Sequence, residues 1–118
     1  MPIERINPQR RLSHAVVHGD TVYVAGTVAR DTDADVVGQT RQILSTIDAV
    51  LAEAGTDKSK LLSATVWLAD VASYDAMNSV WDAWVSPGAP PARACVESKL
   101  AGSEYKVEIA AIAARDKD

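Results

Sequence analysis

The segment PPARACVE, Pro90 to Glu97, concentrates reactive side-chain types in a short space. Arg93, Cys95 and Glu97 stand at every second position behind a proline-rich turn, with Ala92, Ala94 and Val96 between them. Side chains two apart on a strand share a face, so a strand here presents a guanidinium, a thiol and a carboxylate together. An arginine in a partly dry cleft is suited to gripping a carboxylate, because its fork makes two parallel hydrogen bonds. The competing use is an intersubunit ion pair from Arg93 to Glu97 or Glu108. On residue chemistry alone the ion pair ranks slightly ahead, since structural pairs outnumber binding sites.

The elements that must hold this segment follow from periodicity. IERIN (3–7) suits an edge strand stopped by Pro8. The run 14–29 has two β-branched stretches around His18-Gly19-Asp20, a hairpin signal because the turn needs positive φ. RDTDAD (30–35) is a polar loop whose aspartates suit a helix start. From Asp35 the period changes: Val36, Thr40, Ile43, Leu44, Ile47, Val50 and Leu51 recur at three- and four-residue steps, and Gly55 stops the pattern. The spacing predicts an amphipathic helix of about five turns. LLSATVWLA (61–69) alternates as a strand. Asp70 or Ser73 then caps a second helix carrying Tyr74, Met77, Trp81 and Trp84 as a stripe, which SPGAPP breaks. Strands at 92–98 and 105–114 complete an α+β layout with five or six strands.

Two helices cover only one face of such a sheet. Yet the last strand is apolar on both sides, with Val107, Ile109, Ala111 and Ala113 on one and Ala110, Ile112 and Ala114 on the other. A half-solvated sheet shows a cleaner polar face. A second copy of the chain is the expected cover, and Arg93, Cys95 and Glu97 are expected on the face that other subunits approach.

The 118 residues suit one domain, 1–118, of ordinary globular composition, with 47% hydrophobic and 24% charged residues. A formal net charge of −4 argues against a nucleic-acid partner held by bulk electrostatics. One cysteine makes no intramolecular disulfide, and no segment reaches signal-peptide or membrane-span character. The expectation is a soluble cytoplasmic protein with no membrane partner. DTDAD (31–35) has the alternating acids of a calcium loop, but Val36 and Gln42 stand where that loop needs glycine and glutamate. His14 and His18, four apart on a strand, lie roughly 13 Å from each other and share no metal ion. The three tryptophans read as core or interface filler rather than a base-stacking platform.

PPARACVE and the later YKVEIAAIAA resemble the C-terminal signature of the Rid (RidA/YjgF-type) family of reactive intermediate imine/enamine deaminases. VYVAG, QTRQILSTIDAVLAEAGTDKSKLLSATVWLAD and YDAMNSVWDAW match in order and spacing, so the resemblance covers roughly residues 14–114. It implies a chorismate-mutase-like fold whose mixed sheet carries two helices on one face and assembles into a trimeric barrel with clefts between subunits. The implied activity is hydrolysis of 2-imino and enamine acids such as 2-aminoacrylate to oxo acids and ammonia, without cofactor or metal. Arg93 then falls on the carboxylate clamp, Glu108 on the residue that positions or activates water, Cys95 on a cleft position, and Asn78 on a cleft wall. Cys95 itself reads as a small buried hydrophobe rather than a reactive thiol.

The pattern departs from the family at the pocket. Leu12 replaces a tyrosine that lines the cleft in many members, and Ala25-Gly26-Thr27 replaces Ser-Gly-Gln, which removes a hydroxyl. Such losses change which imines fit; His14 is a candidate polar replacement, though an exposed strand histidine is the preferred reading. The rival functions are a non-catalytic carboxylate-binding or chaperone-like module, an endoribonuclease or translation inhibitor, and a catabolic deaminase acting on an aminomuconate-like substrate.

Overall fold

The computed structural model describes residues 1–116. The strands are β1 (Ile3–Pro8), β2 (Ser13–His18), β3 (Thr21–Thr27), β4 (Leu61–Leu68), β5 (Ala92–Glu97) and β6 (Val107–Ala114), and the helices are α1 (Val36–Glu53) and α2 (Tyr74–Trp84). The six strands form one sheet in the order β1-β2-β3-β6-β4-β5. β4 and β5 are parallel, joined through α2, and the other neighbours are antiparallel. This is the expected mixed α+β sheet with two helices.

Local chemistry accounts for the element ends. Gly19 turns the β2–β3 hairpin at φ 65°, a conformation that costs glycine nothing. The Asp35 carboxylate accepts from the Gly38 amide at 2.9 Å and caps α1. Gly55, at φ 81°, follows the last turn of that helix. Asp70 caps a short 3₁₀ turn, Val71–Ser73, by accepting from Ala72 N at 2.9 Å. Ser73 occupies the cap position of α2 without a side-chain cap bond.

The core lies between the helices and one face of the sheet. Ile43, Leu44, Ile47, Val50 and Leu51 of α1 and Met77, Val80 and Trp81 of α2 pack against Val22, Val24, Ala64, Val66, Leu68, Val107, Ile109 and Ala111. Gln39 is wholly buried in this layer. Its Nε2 donates to the carbonyls of Thr32, Ala34 and Glu104, and its Oε1 accepts from Lys106 N at 2.9 Å. One amide thereby satisfies two loops and fixes the entry to β6.

The other face has no helix. Register aligns Val16, Tyr23, Ile112, Ser63 and Ala92 across the strands, then Ala110, Thr65 and Ala94, then Glu108, Trp67 and Val96. These side chains are half-buried or exposed. No helix in the described residues is long and apolar enough to cross a membrane.

Candidate active site

The register corrects one expectation. Arg93 pairs with Ala64, Cys95 with Val66 and Glu97 with Leu68, and those partners point into the core. The three side chains therefore share the helix-covered face, while Ala92, Ala94 and Val96 take the open one. A period of two says which residues share a face but not which face it is.

Helix α2 supplies what surrounds Arg93. Its Nη1 donates to Asn78 Oδ1 at 2.8 Å and its Nη2 donates to the Tyr74 hydroxyl at 3.3 Å. The guanidinium carbon lies 5.1 Å from the Trp81 ring centroid and 5.9 Å from that of Tyr74, within cation–π range. Positions 74, 78 and 81 follow each other at the four- and three-residue steps that share one helix face. Trp81 packs against Trp84 at 5.4 Å, and Trp84 Nε1 donates to Asp48 of α1 at 3.0 Å. The cradle is thus braced by the second helix.

Neither of the ion pairs weighed for Arg93 forms within the chain. Glu97 instead accepts from Val71 N at 2.9 Å, tying β5 to the turn before α2. Among the described residues no carboxylate lies in salt-bridge range of Arg93. Cys95 packs against the core. Burial pushes its thiol up from the usual range, with the positive charge of Arg93 a smaller opposing influence, so it stays a neutral thiol at physiological pH.

Glu108 is elsewhere. It stands on β6 opposite Trp67, on the open face. Two strand spacings sideways and three residues along place its Cα roughly 14 Å from that of Arg93, with the side chains on opposite faces. Its carboxylate lies over Gly26, so close that a Cβ at Gly26 would collide with it. Gly26 belongs to a bulge: Val24 pairs with Ala111 and Thr27 with Ile109, which leaves one extra residue on β3.

Ala25, Gly26 and Leu12 line a cavity of about 810 Å³ with His14, Thr27 and Tyr105, walled on its far side by α1. Leu12 is half-exposed at 51%. The His14 ring is held between the side-chain amides of Gln9 at 2.9 Å and Asn7 at 3.4 Å, and Asn7 adopts φ 49°, a left-handed conformation that asparagine tolerates. The candidate residues therefore form two groups in one chain. Arg93, Asn78 and Cys95 meet at β5 and α2, while Leu12 and Ala25 meet at the end of β3, next to Glu108.

Sequence reasoning missed Tyr74 and Trp81 as the cradle of Arg93, reading them as an apolar stripe; their spacing from Asn78 was the available signal. Gly26 was legible in principle, since glycine inside a strand marks a bulge or a close approach. Nothing in the spacing pointed to Tyr105 or Gln39.

The family profile described as Endoribonuclease L-PSP matches residues 2–115. A crystal structure of a YjgF-family member from Neisseria meningitidis superposes with a TM-score of 0.96 at 40% identity, covering 100% of this chain and 98% of that one. The chain belongs to the YjgF/Rid family. A RutC family protein from Haemophilus ducreyi is 46% identical over 112 residues, covering 95% of this chain and 96% of the relative. The RutC family protein YoaB from Escherichia coli is 46% identical over 114 residues, covering 97% and 99%. Likeness to YjgF and RutC proteins thus extends over nearly the whole chain and takes in both groups of candidate residues.

Proposed function

We propose that this chain hydrolyses small 2-imino and enamine acids, of the 2-aminoacrylate kind, to 2-oxo acids and ammonia. Arg93 holds the substrate carboxylate. The observation that carries the reading is a guanidinium aimed by Asn78, Tyr74 and Trp81, all uncharged, with no carboxylate partner among the described residues. A cation so oriented keeps donors for a planar anion.

The chemistry asks little more. An enamine takes a proton at carbon to become the iminium, whose carbon is already electrophilic. Water adds to that carbon and loses a proton to give the carbinolamine; the nitrogen then gains a proton, and as the hydroxyl gives up its own the C–N bond breaks to release ammonia and leave the oxo acid. Glu108 is suited to orient the water and take its proton. Arg93 and Glu108 face opposite sides of one sheet, so a site using both takes Glu108 from an adjacent copy. A ring in which the β5 side of each subunit meets the β3 side of the next places them together, and a homotrimer is the assembly proposed. The uncovered apolar face of the sheet supports self-association of this kind. A lone, neutral Cys95 suits a reducing, cytoplasmic setting.

Ammonia release from imino acids generated in situ by an amino-acid oxidase tests the reading, with Arg93→Ala and an enzyme-free control run alongside. Wild type accelerates release, and Arg93→Ala falls to the control rate, a loss of at least about 100-fold. Equal rates for wild type and control sink the proposal. The family description names an endoribonuclease, so the same preparations are incubated with RNA. At a net charge of −4 no cleavage is expected, since nothing draws a polyanion in.

A further inference from the structure

We propose that the phenol hydroxyl of Tyr74 is a second, neutral donor to the anion held by Arg93, and that it selects carboxylates over carboxamides. This rests on Arg93 being the anion clamp but not on catalysis.

Hydrogen-bond direction carries the argument. A guanidinium has five N–H donors and no acceptor. In the 3.3 Å contact with Arg93 Nη2, the Tyr74 oxygen must therefore accept, and its own proton is left for another partner. Among the described residues no acceptor is in reach of that proton. Tyr74 is 43% exposed while Trp81 is buried at 5%, so the hydroxyl stands on the open side of the cradle and the indole closes another.

The direction of approach follows. Trp81 and Tyr74 both lie within 6 Å of the guanidinium carbon, and Asn78 occupies one N–H of Nη1. An incoming anion uses the N–H groups left over. An oxygen bonded to Nη2 comes within reach of a phenol 3.3 Å from that same nitrogen. A carboxylate oxygen then accepts from Arg93 and from Tyr74 at once, and an O–H to O⁻ bond of this kind is short and strong. A carboxamide places either a weaker acceptor or an N–H at that point. Phenylalanine would keep the aromatic ring but lose this discrimination.

The test uses the intact assembled protein with pyruvate and pyruvamide as probes, titrated into wild type, Tyr74→Phe and Arg93→Ala. Tyr74→Phe is expected to weaken pyruvate binding about tenfold, to leave pyruvamide within about twofold, and to keep the thermal midpoint. With imino acids, KM rises by a similar factor while kcat stays within about twofold, as for a contact made equally in ground and transition states. Unchanged pyruvate affinity in Tyr74→Phe overturns the proposal. So does a fall in kcat at unchanged affinity, which would mean that the hydroxyl only orients Arg93. If Arg93→Ala binds pyruvate as well as wild type, or wild type binds none, the clamp itself falls and this inference with it. If Arg93→Ala fails to bind while Tyr74→Phe binds normally, only this inference falls.

Discussion

Among the described residues, the hydrogen-bond and cation–π partners of the Arg93 guanidinium all come from α2, within the crossover that links β4 to β5. The second group is assembled differently, around a cavity lined by the β1–β2 turn at Leu12, the β3 bulge at Ala25 and Gly26, and the approach to β6 at Tyr105, with the Glu108 carboxylate lying over Gly26. In the first group the hydrogen bonds that orient the guanidinium are already made, so the proposed grip on an anion would require little rearrangement. The second is an open cavity, and the Glu108 carboxylate that lies against Gly26 has no hydrogen-bond partner among the described residues. Affinity for the common acid group is expected to reside in the first region and choice among substrate side chains in the second.

The strongest way to break this contrast is complementation. Arg93→Ala and Glu108→Gln homo-oligomers are each expected to lose at least about 100-fold in imine hydrolysis. Unfolded together and refolded as a 1:1 mixture, they should recover about a quarter of wild-type activity, because random assembly joins an intact Arg93 to an intact neighbouring Glu108 at that frequency. No recovery, with mixed oligomers verified by mass, would place both residues in one subunit's site and undo the division.

A smaller effect is expected at the bulge. In Gly26→Ala the new Cβ meets the far end of the Glu108 side chain, which swings aside at little cost to the fold. The expected outcome is a kcat about tenfold lower, with pyruvate affinity and thermal midpoint unchanged. Weaker pyruvate binding would show that the two regions are not separable in this way.

The smallest effect belongs to Cys95, which lies in the Arg93 region without touching the chemistry. Cys95→Ala should keep activity within about twofold and lose about 1 kcal/mol of stability. The native thiol titrates above its ordinary range, so the unfolded chain loses its proton first as pH rises. Its contribution to stability is complete below about pH 8.5, the ordinary thiol value, and is lost as pH climbs through the native value. Chemical denaturation at neutral and alkaline pH, comparing wild type with Cys95→Ala, measures that difference.

Much of this architecture was legible in residue order. The α1 stripe, the Gly19 hairpin, the two helices on one face and the apolar second face of β6 all follow from period and turn chemistry, and Asn78, which the resemblance puts on a cleft wall, accepts from Arg93. The orientation of Arg93 was not legible, because face assignment depends on how β5 registers against β4 through a parallel crossover. At the bulge only Gly26 gave a signal: a glycine inside a strand marks a bulge or a close approach, but not that Glu108 is what approaches it. Gln39 looks like a helix surface amide in sequence, yet its burial follows from two loop segments far apart in the chain that both need donors and acceptors. Glu97 reads as a candidate intersubunit ion-pair partner, and nothing in its spacing pointed to the Val71 amide that it accepts from within the chain.

The strand order carries a consequence for synthesis. β6 is made last, yet it lies between β3 and β4. Until residues 107–114 emerge from the ribosome, β3 and β4 lack the strand that pairs with both, so any ribbon formed from β1-β2-β3 or β4-β5 exposes an unpaired inner edge open to misassembly. A stalled or truncated product ending before Val107 retains Arg93 and its helix, but only the packing of α2 on α1, with the Trp84–Asp48 hydrogen bond, joins them to the N-terminal half. Glu108 arrives on the strand that completes the sheet, so a chain acquires the carboxylate proposed to orient water only in the act of closing its own fold.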